Sequence, residues 1–132
     1  MKAISGLLVP PHQLPCKFTL EPTLDHLQML VAAGGYVEII KPFTDGRLTV
    51  WLDEEGQYKN APVNWHLKHI LRETDWGTSD LRGFALITRD EGLNNHTGSL
   101  NEQDWMIFHR LCGPDFGGVN VAIWDEIFTD TP

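Results

Sequence analysis

The pair Asp45-Gly46, set between two β-branched and aromatic-rich runs, constrains this chain more than any other feature. Tyr36-Val37-Glu38-Ile39-Ile40-Lys41 precedes it and Arg47-Leu48-Thr49-Val50-Trp51-Leu52 follows it. Branched and aromatic side chains suit a pleated strand, and an Asp-Gly step supplies the positive φ values of tight hairpin turns. A hairpin is therefore expected, and with it an antiparallel sheet. Along the second run Leu48, Val50 and Leu52 alternate with Arg47, Thr49 and Trp51, so one side of the sheet should pack against helices. Glu38 is the anomaly. A carboxylate in an apolar strand must reach the sheet edge or find a partner such as Lys41, Arg47 or a backbone donor. That makes Glu38 a candidate for a ligand contact.

The remaining elements follow from periodicity and punctuation. Residues 3–9 and Lys17 to Leu20 read as strands on either side of a Pro-rich turn. Leu24, Leu27, Leu30 and Val31 recur at helical spacing, with Thr23 as cap, Asp25 in the first turn and Gly34-Gly35 as the stop. Asn64 can cap a second helix whose buried stripe is Leu67, Ile70 and Leu71. Thr74 to Leu81 is a polar loop carrying Trp76-Gly77, and Gly83 to Thr88 a buried strand. Asp90 to Ser99 is loop by composition. A third helix is expected over about 102–111, capped by Asn101 or Ser99 with Trp105, Phe108 and Leu111 in its stripe, and a last strand over Val119 to Trp124. The fold class is α+β: one domain over 1–132, with a mainly antiparallel sheet of four to six strands and two or three helices packed on it.

Composition sets bounds on partners and compartment. The chain has 132 residues, room for one core and no second domain. No apolar run approaches the ~20 residues of a membrane helix, and Pro10-Pro11 interrupts the apolar start before a signal-peptide core forms. Cys16 and Cys112 lack a redox or zinc spacing and are expected as reduced thiols. The formal charge of −8 is lopsided: residues 1–90 hold 11 acids against 9 bases, whereas residues 91–132 hold seven acids against Arg110 alone. An acidic surface repels nucleic-acid and membrane phosphates, so direct nucleic-acid or membrane binding is not expected, and basic proteins are the natural partners.

In order, Leu24 to Val31, Gly34-Gly35-Tyr36-Val37-Glu38, Asp53-Glu54-Glu55-Gly56, Pro62-Val63-Asn64 and Gly83-Phe84-Ala85 resemble a family catalogued as domain of unknown function 3846. The resemblance spans about residues 18–90. It implies an origin in phages or other mobile elements, and it carries no agreed activity and no catalytic residues. Residues 91–132 then read as an acidic, aromatic C-terminal extension packed on an 18–90 body.

Several constellations invite chemistry. His66, His69 and Glu73 at i, i+3 and i+7 would share one stripe of a regular helix and are weak candidates for metal ligands. A solvated helix face explains them as well, and the chain lacks the H-E-x-x-H pattern of zinc proteases. The acids of Asp53-Glu54-Glu55 splay apart in a turn. No nucleophile elbow, phosphate loop or dinucleotide fingerprint is present, so no cofactor and no enzyme are expected. Five tryptophans are many for this length. Trp76 and Trp124 are expected to be partly exposed, as interface residues often are.

The expected function is a non-enzymatic accessory protein, acting in the host cytoplasm, that docks onto a basic surface of a host protein as an inhibitor or a charge mimic of nucleic acid. Its binding residues would be Glu38, Trp76, Glu102, Asp104, Trp124, Asp125 and Glu126. One alternative is a protein that sequesters a small nucleotide signal in counter-defence, using bases such as Arg47, Lys68, Arg72, Arg82 or Arg89. A second is a metal-dependent enzyme at His66, His69 and Glu73.

Overall fold

In the computed structural model the described residues are 3–21, 23–43, 47–56, 59–90 and 97–112. Among these residues six strands and three helices form one α+β unit: β1 (Ile4–Val9), β2 (Cys16–Leu20), α1 (Leu24–Ala32), β3 (Val37–Ile40), β4 (Leu48–Asp53), α2 (Trp65–Ile70), β5 (Ala85–Asp90), β6 (Thr97–Gly98) and α3 (Glu102–Cys112). The sheet runs in the order β2-β1-β5-β4-β3, and β6 pairs with β5. Every strand pair is antiparallel. The Asp45-Gly46 turn and the expected strand over Val119 to Trp124 lie outside the described residues.

The hairpin expected around Asp45-Gly46 is present as β3 and β4, with Glu38 opposite Leu52 and Ile40 opposite Val50. A two-residue turn at Asp45-Gly46 would instead set Glu38 opposite Asp53. The observed register differs by one residue, which keeps two carboxylates from facing each other and keeps Ile40 with Val50 on the core side. Its helices cover both faces of the sheet, not one. Leu48, Val50 and Leu52 join Leu7, Val9 and Ile87 against Leu67 and Ile70 of α2 and Phe108 of α3. On the opposite face Trp51, Leu8, Phe18 and Leu86 pack against Leu27, Val31 and Ala32 of α1. Trp51 and Thr49, expected on a less covered side, are both buried, and the Trp51 indole N–H donates to the buried Thr88 hydroxyl at 2.9 Å.

Local chemistry explains the helix bounds. The Thr23 hydroxyl accepts from the His26 amide at 3.2 Å and starts α1. Its left-handed terminal residue is Ala33, one before the expected glycine, with Gly34 also at positive φ. Leu24 is exposed, so the buried stripe of α1 is Leu27, Val31 and Ala32. Asn64 does more than cap α2. Its carbonyl oxygen accepts from the Leu67 amide at 2.9 Å, while its amide donates to the Val9 and Gly83 carbonyls at 2.7 and 2.8 Å. Fully buried and fully used, it ties α2 to the end of β1 and the entry of β5.

β5 begins at Ala85 and runs on through Arg89 and Asp90, and β6 occupies part of the stretch expected as loop. The segment after it continues beside β1, where the Leu100 amide donates to the Ser5 carbonyl and the Ser99 hydroxyl accepts from the Ser5 amide. Gly6 is required in β1, since a Cβ there would meet the Ile87 carbonyl oxygen at 2.7 Å. Among the described residues no helix is long and apolar enough to cross a membrane.

Candidate functional site

β3 is the last strand of the sheet, and among the described residues no strand lies beyond it. The Glu54 amide donates to the Tyr36 carbonyl at 3.0 Å. By the alternation of an antiparallel ladder, Tyr36, Glu38 and Ile40 therefore turn their backbone groups toward β4, and Val37 and Ile39 turn theirs to the open edge. Tyr36 is 68% exposed and Ile39 50% exposed, an apolar presentation at a strand edge. Glu38 is exposed between them. Reaching the sheet edge is thus how the sequence accommodates a carboxylate in an apolar strand.

Beside this edge lies a cleft of about 310 Å³ lined by Glu38, Leu52, Asp53, Glu54, Gly56, Asp80, Leu81 and Arg82. Two of its acids are already engaged. Asp53 holds the Lys59 ammonium at 3.1 Å and the Glu55 amide at 2.9 Å, and Lys59 also donates to the Ala32 carbonyl at the end of α1. Asp80 accepts from Lys68 at 2.9 Å; this hydrogen bond and the Lys68 charge, helped by Arg82, hold its carboxyl below the usual carboxylate range. Arg82 spends one guanidinium N–H on the Ala61 carbonyl at 2.9 Å. Glu38 and Glu54 form no side-chain hydrogen bond or ion pair among the described residues, so the cleft presents two uncommitted carboxylates.

Other residues singled out from the sequence are placed elsewhere. Glu102 is exposed in the first turn of α3. Asp104, expected on the same acidic surface, points inward and is 4% exposed. It takes a two-point ion pair from Arg89 and accepts from the Asn101 amide at 2.9 Å, while the Asn101 side chain caps the Asp104 amide. A capping box needs an acceptor three residues after the cap, and here that acceptor also neutralises a sheet arginine. Trp76 is half-buried against the core beneath α2 and α3. The exposed indole among the described residues is Trp65, with the Lys68 ammonium 5.2 Å from its ring. Trp124, Asp125 and Glu126 lie outside the described residues.

His66 and His69 line a second, smaller cavity of about 160 Å³ with Pro15 and Cys112. Glu73 does not share their helix face, because α2 ends at Ile70. The His69 ring nitrogen Nε2 sits 2.9 Å from the Leu111 carbonyl oxygen, and Arg72 donates to the same carbonyl, so this pair serves the last turn of α3. Among the described residues no group of three or more His, Cys, Asp or Glu is arranged to hold a metal ion. Cys16 and Cys112 are not joined in a disulfide, and burial pushes the Cys16 thiol up to about 11.

Of the proposed docking residues Glu38 is the one that lines the edge cleft, together with Asp53 and Glu54 of the acidic turn and Arg82 from the bases weighed for a nucleotide ligand. Glu54 converges on Glu38 from one stretch of chain and Asp80 and Arg82 from another, and their convergence has no local signature. The Val63–Arg82 bridge and the Asn64 bonds are what bring residues 80–82 beside β3 and β4.

The chain belongs to the family described as domain of unknown function (DUF3846), whose model matches residues 1–113. The match is wider than the 18–90 stretch read from motifs, and takes in β1, β6 and α3. Residues 114–132, beyond it, carry four acids and no Lys or Arg. Neither curated proteins nor solved structures gave a match.

Proposed function

We propose that this family member is a non-enzymatic binding module that docks onto a basic surface of another protein, as an accessory factor acting on a host protein. The observation that carries the reading is the pair of uncommitted carboxylates Glu38 and Glu54 in the cleft at the β3 edge, with Tyr36 exposed at the start of that edge and Ile39 exposed on the other face of the strand. Apolar anchors flanked by one sign of charge suit a protein partner of the opposite sign, because the charge steers encounter and the apolar contacts hold the complex. The net charge of −8 supports the same polarity of partner. Glu102 and the acids of 114–132, Asp125 and Glu126 among them, add to the acidic character of the chain.

A nucleotide signal is the less supported ligand. Lys68 and Arg89 are held by carboxylates, and Arg72 and Arg82 donate to backbone carbonyls, so a phosphate would have to displace these bonds.

The test is capture from bacterial lysate at low and high salt, followed by titration of the purified captured protein against three forms of the full chain. These are the natural protein, Glu38→Gln with Glu54→Gln, and Glu102→Gln with Asp125→Asn and Glu126→Gln. A captured protein with a basic face, released by salt and weakened at least about tenfold by one of the two neutralised sets, supports the reading. Retention indifferent to salt and to both sets contradicts it.

A further inference from the structure

The two edges of the sheet are built differently. At β2 the outward residues are Lys17 and Thr19, and Lys17 lies 5.8 Å from the Trp105 ring. A lysine on an outer strand is a common guard against unwanted pairing. At β3 the outward backbone groups belong to Val37 and Ile39, and Ile39 and Tyr36 stay exposed. We infer that the β3 edge accepts an extended segment of a partner protein as an added antiparallel strand, with a lysine or arginine of that segment opposite Glu38. This rests on the acidic docking reading and gives it a binding mode.

Charge decides the occupant. Because Val37 and Ile39 would make the new ladder bonds, the incoming residue opposite Glu38 falls at a non-hydrogen-bonded position, where Cα atoms approach to about 4.5 Å and side chains are closest. A second copy of this chain fits poorly there. Pairing centred on Glu38 sets two carboxylates face to face, and pairing centred on Ile39 sets each Glu38 against the other copy's Ile40 with no cation. A basic residue turns the same position into a cross-strand ion pair, with Glu54 in the adjoining cleft adding to the field. On the other face the residue opposite Ile39 meets an exposed apolar side chain, so the favoured segment alternates basic and apolar residues. Lys41, the base closest in sequence, is already paired with Asp90. Main-chain bonds would then supply affinity and the alternate side chains selectivity, as in strand addition generally.

The probe is a capped eight-residue peptide alternating lysine and valine, titrated into the isotopically labelled full chain, with a glutamate–valine peptide as control. Amide exchange at Val37 and Ile39 is expected to slow at least about tenfold at saturation, with little change at Glu38, whose amide already faces β4. Glu38→Lys, a surface change compatible with folding, is expected to weaken the basic peptide at least about tenfold and to admit the acidic one. Unchanged exchange at Val37 and Ile39, equal binding of the two peptides, or concentration-dependent self-association that slows these amides without peptide would overturn the inference. If Glu38→Lys still binds the lysate-captured partner in a salt-sensitive way, the edge mode fails and the acidic docking reading stands. Salt-independent capture removes that reading instead.

Discussion

Arg89 and Asp104 form a two-point ion pair, with the Arg89 Nε 2.9 Å from one carboxylate oxygen and Nη2 3.0 Å from the other. The pair joins β5 to the first turn of α3, and the carboxylate also accepts from the Asn101 amide. An acid that belongs by sequence to the most negative part of the chain is thereby a fastening between helix and sheet.

Removing Asp104 takes the two-point partner from the largely buried Arg89 and the N-terminal cap bond from Asn101. Asp104→Ala is expected to destabilise the protein by about 3 kcal/mol, within the range seen when buried pairs are broken. Glu102→Gln, two residues away and exposed, is expected to change stability by less than about 0.5 kcal/mol. Urea unfolding of the two variants measures both values, and similar losses would mean that Asp104 is not the fastening described.

Asn64 links three elements through four hydrogen bonds, its own amide donating to the Leu81 carbonyl. Asn64→Ala strands the Val9 and Gly83 carbonyls and the Leu67 amide in the interior, and a loss of about 2–4 kcal/mol is expected from unsatisfied buried groups. Asn64→Asp keeps the cap but turns an oxygen toward two carbonyl oxygens, so it should lose at least as much. Thermal unfolding of both variants checks the order.

Gly6→Ala brings a methyl group to within 2.7 Å of the Ile87 carbonyl oxygen across the β1–β5 ladder. The strands must part to admit it, at a cost of about 1–3 kcal/mol. Amide exchange in this variant should be faster at Leu7 and Ile87 than at Val37 and Ile39 relative to the natural protein.

Burial raises the Cys16 thiol from 9.0 to about 11. Iodoacetamide at neutral pH is therefore expected to modify the partly exposed Cys112 well before Cys16, which mass mapping of the alkylated protein reads directly. The folded state holds the Cys16 proton more tightly than the unfolded state does. This contribution is whole below pH 9 and is lost as pH rises toward 11, so Cys16→Ala should flatten the fall in stability over that window.

Much of the fold was legible because its signals are local. Thr23 and Asn64 announce helix starts, and the runs on either side of Asp45-Gly46 announce a hairpin. What was not legible depends on distant parts of the chain. Covering the sheet on both faces required α1 to land on one side and α2 with α3 on the other, and the alternation of β4 does not reveal that Trp51 finds Thr88. The stripe His66, His69 and Glu73 failed because α2 stops after six residues, with Arg72 and His69 turned to the Leu111 carbonyl. Glu38 stood out as a charge among apolar neighbours. Glu54 and Arg82 stood out only within other groupings and Asp80 not at all, since their proximity to Glu38 arises from strand register and the Val63–Arg82 bridge.

If uncommitted carboxylates at the β3 edge hold a basic partner, the stability of that complex must depend on salt. Titration calorimetry of the captured partner at several salt concentrations, against the natural chain and Glu38→Gln with Glu54→Gln, gives the slope of log Kd on log salt for each. Binding is expected to weaken as salt rises, with a shallower slope and a higher Kd at low salt for the neutralised form. Identical slopes and affinities for the two forms would contradict it.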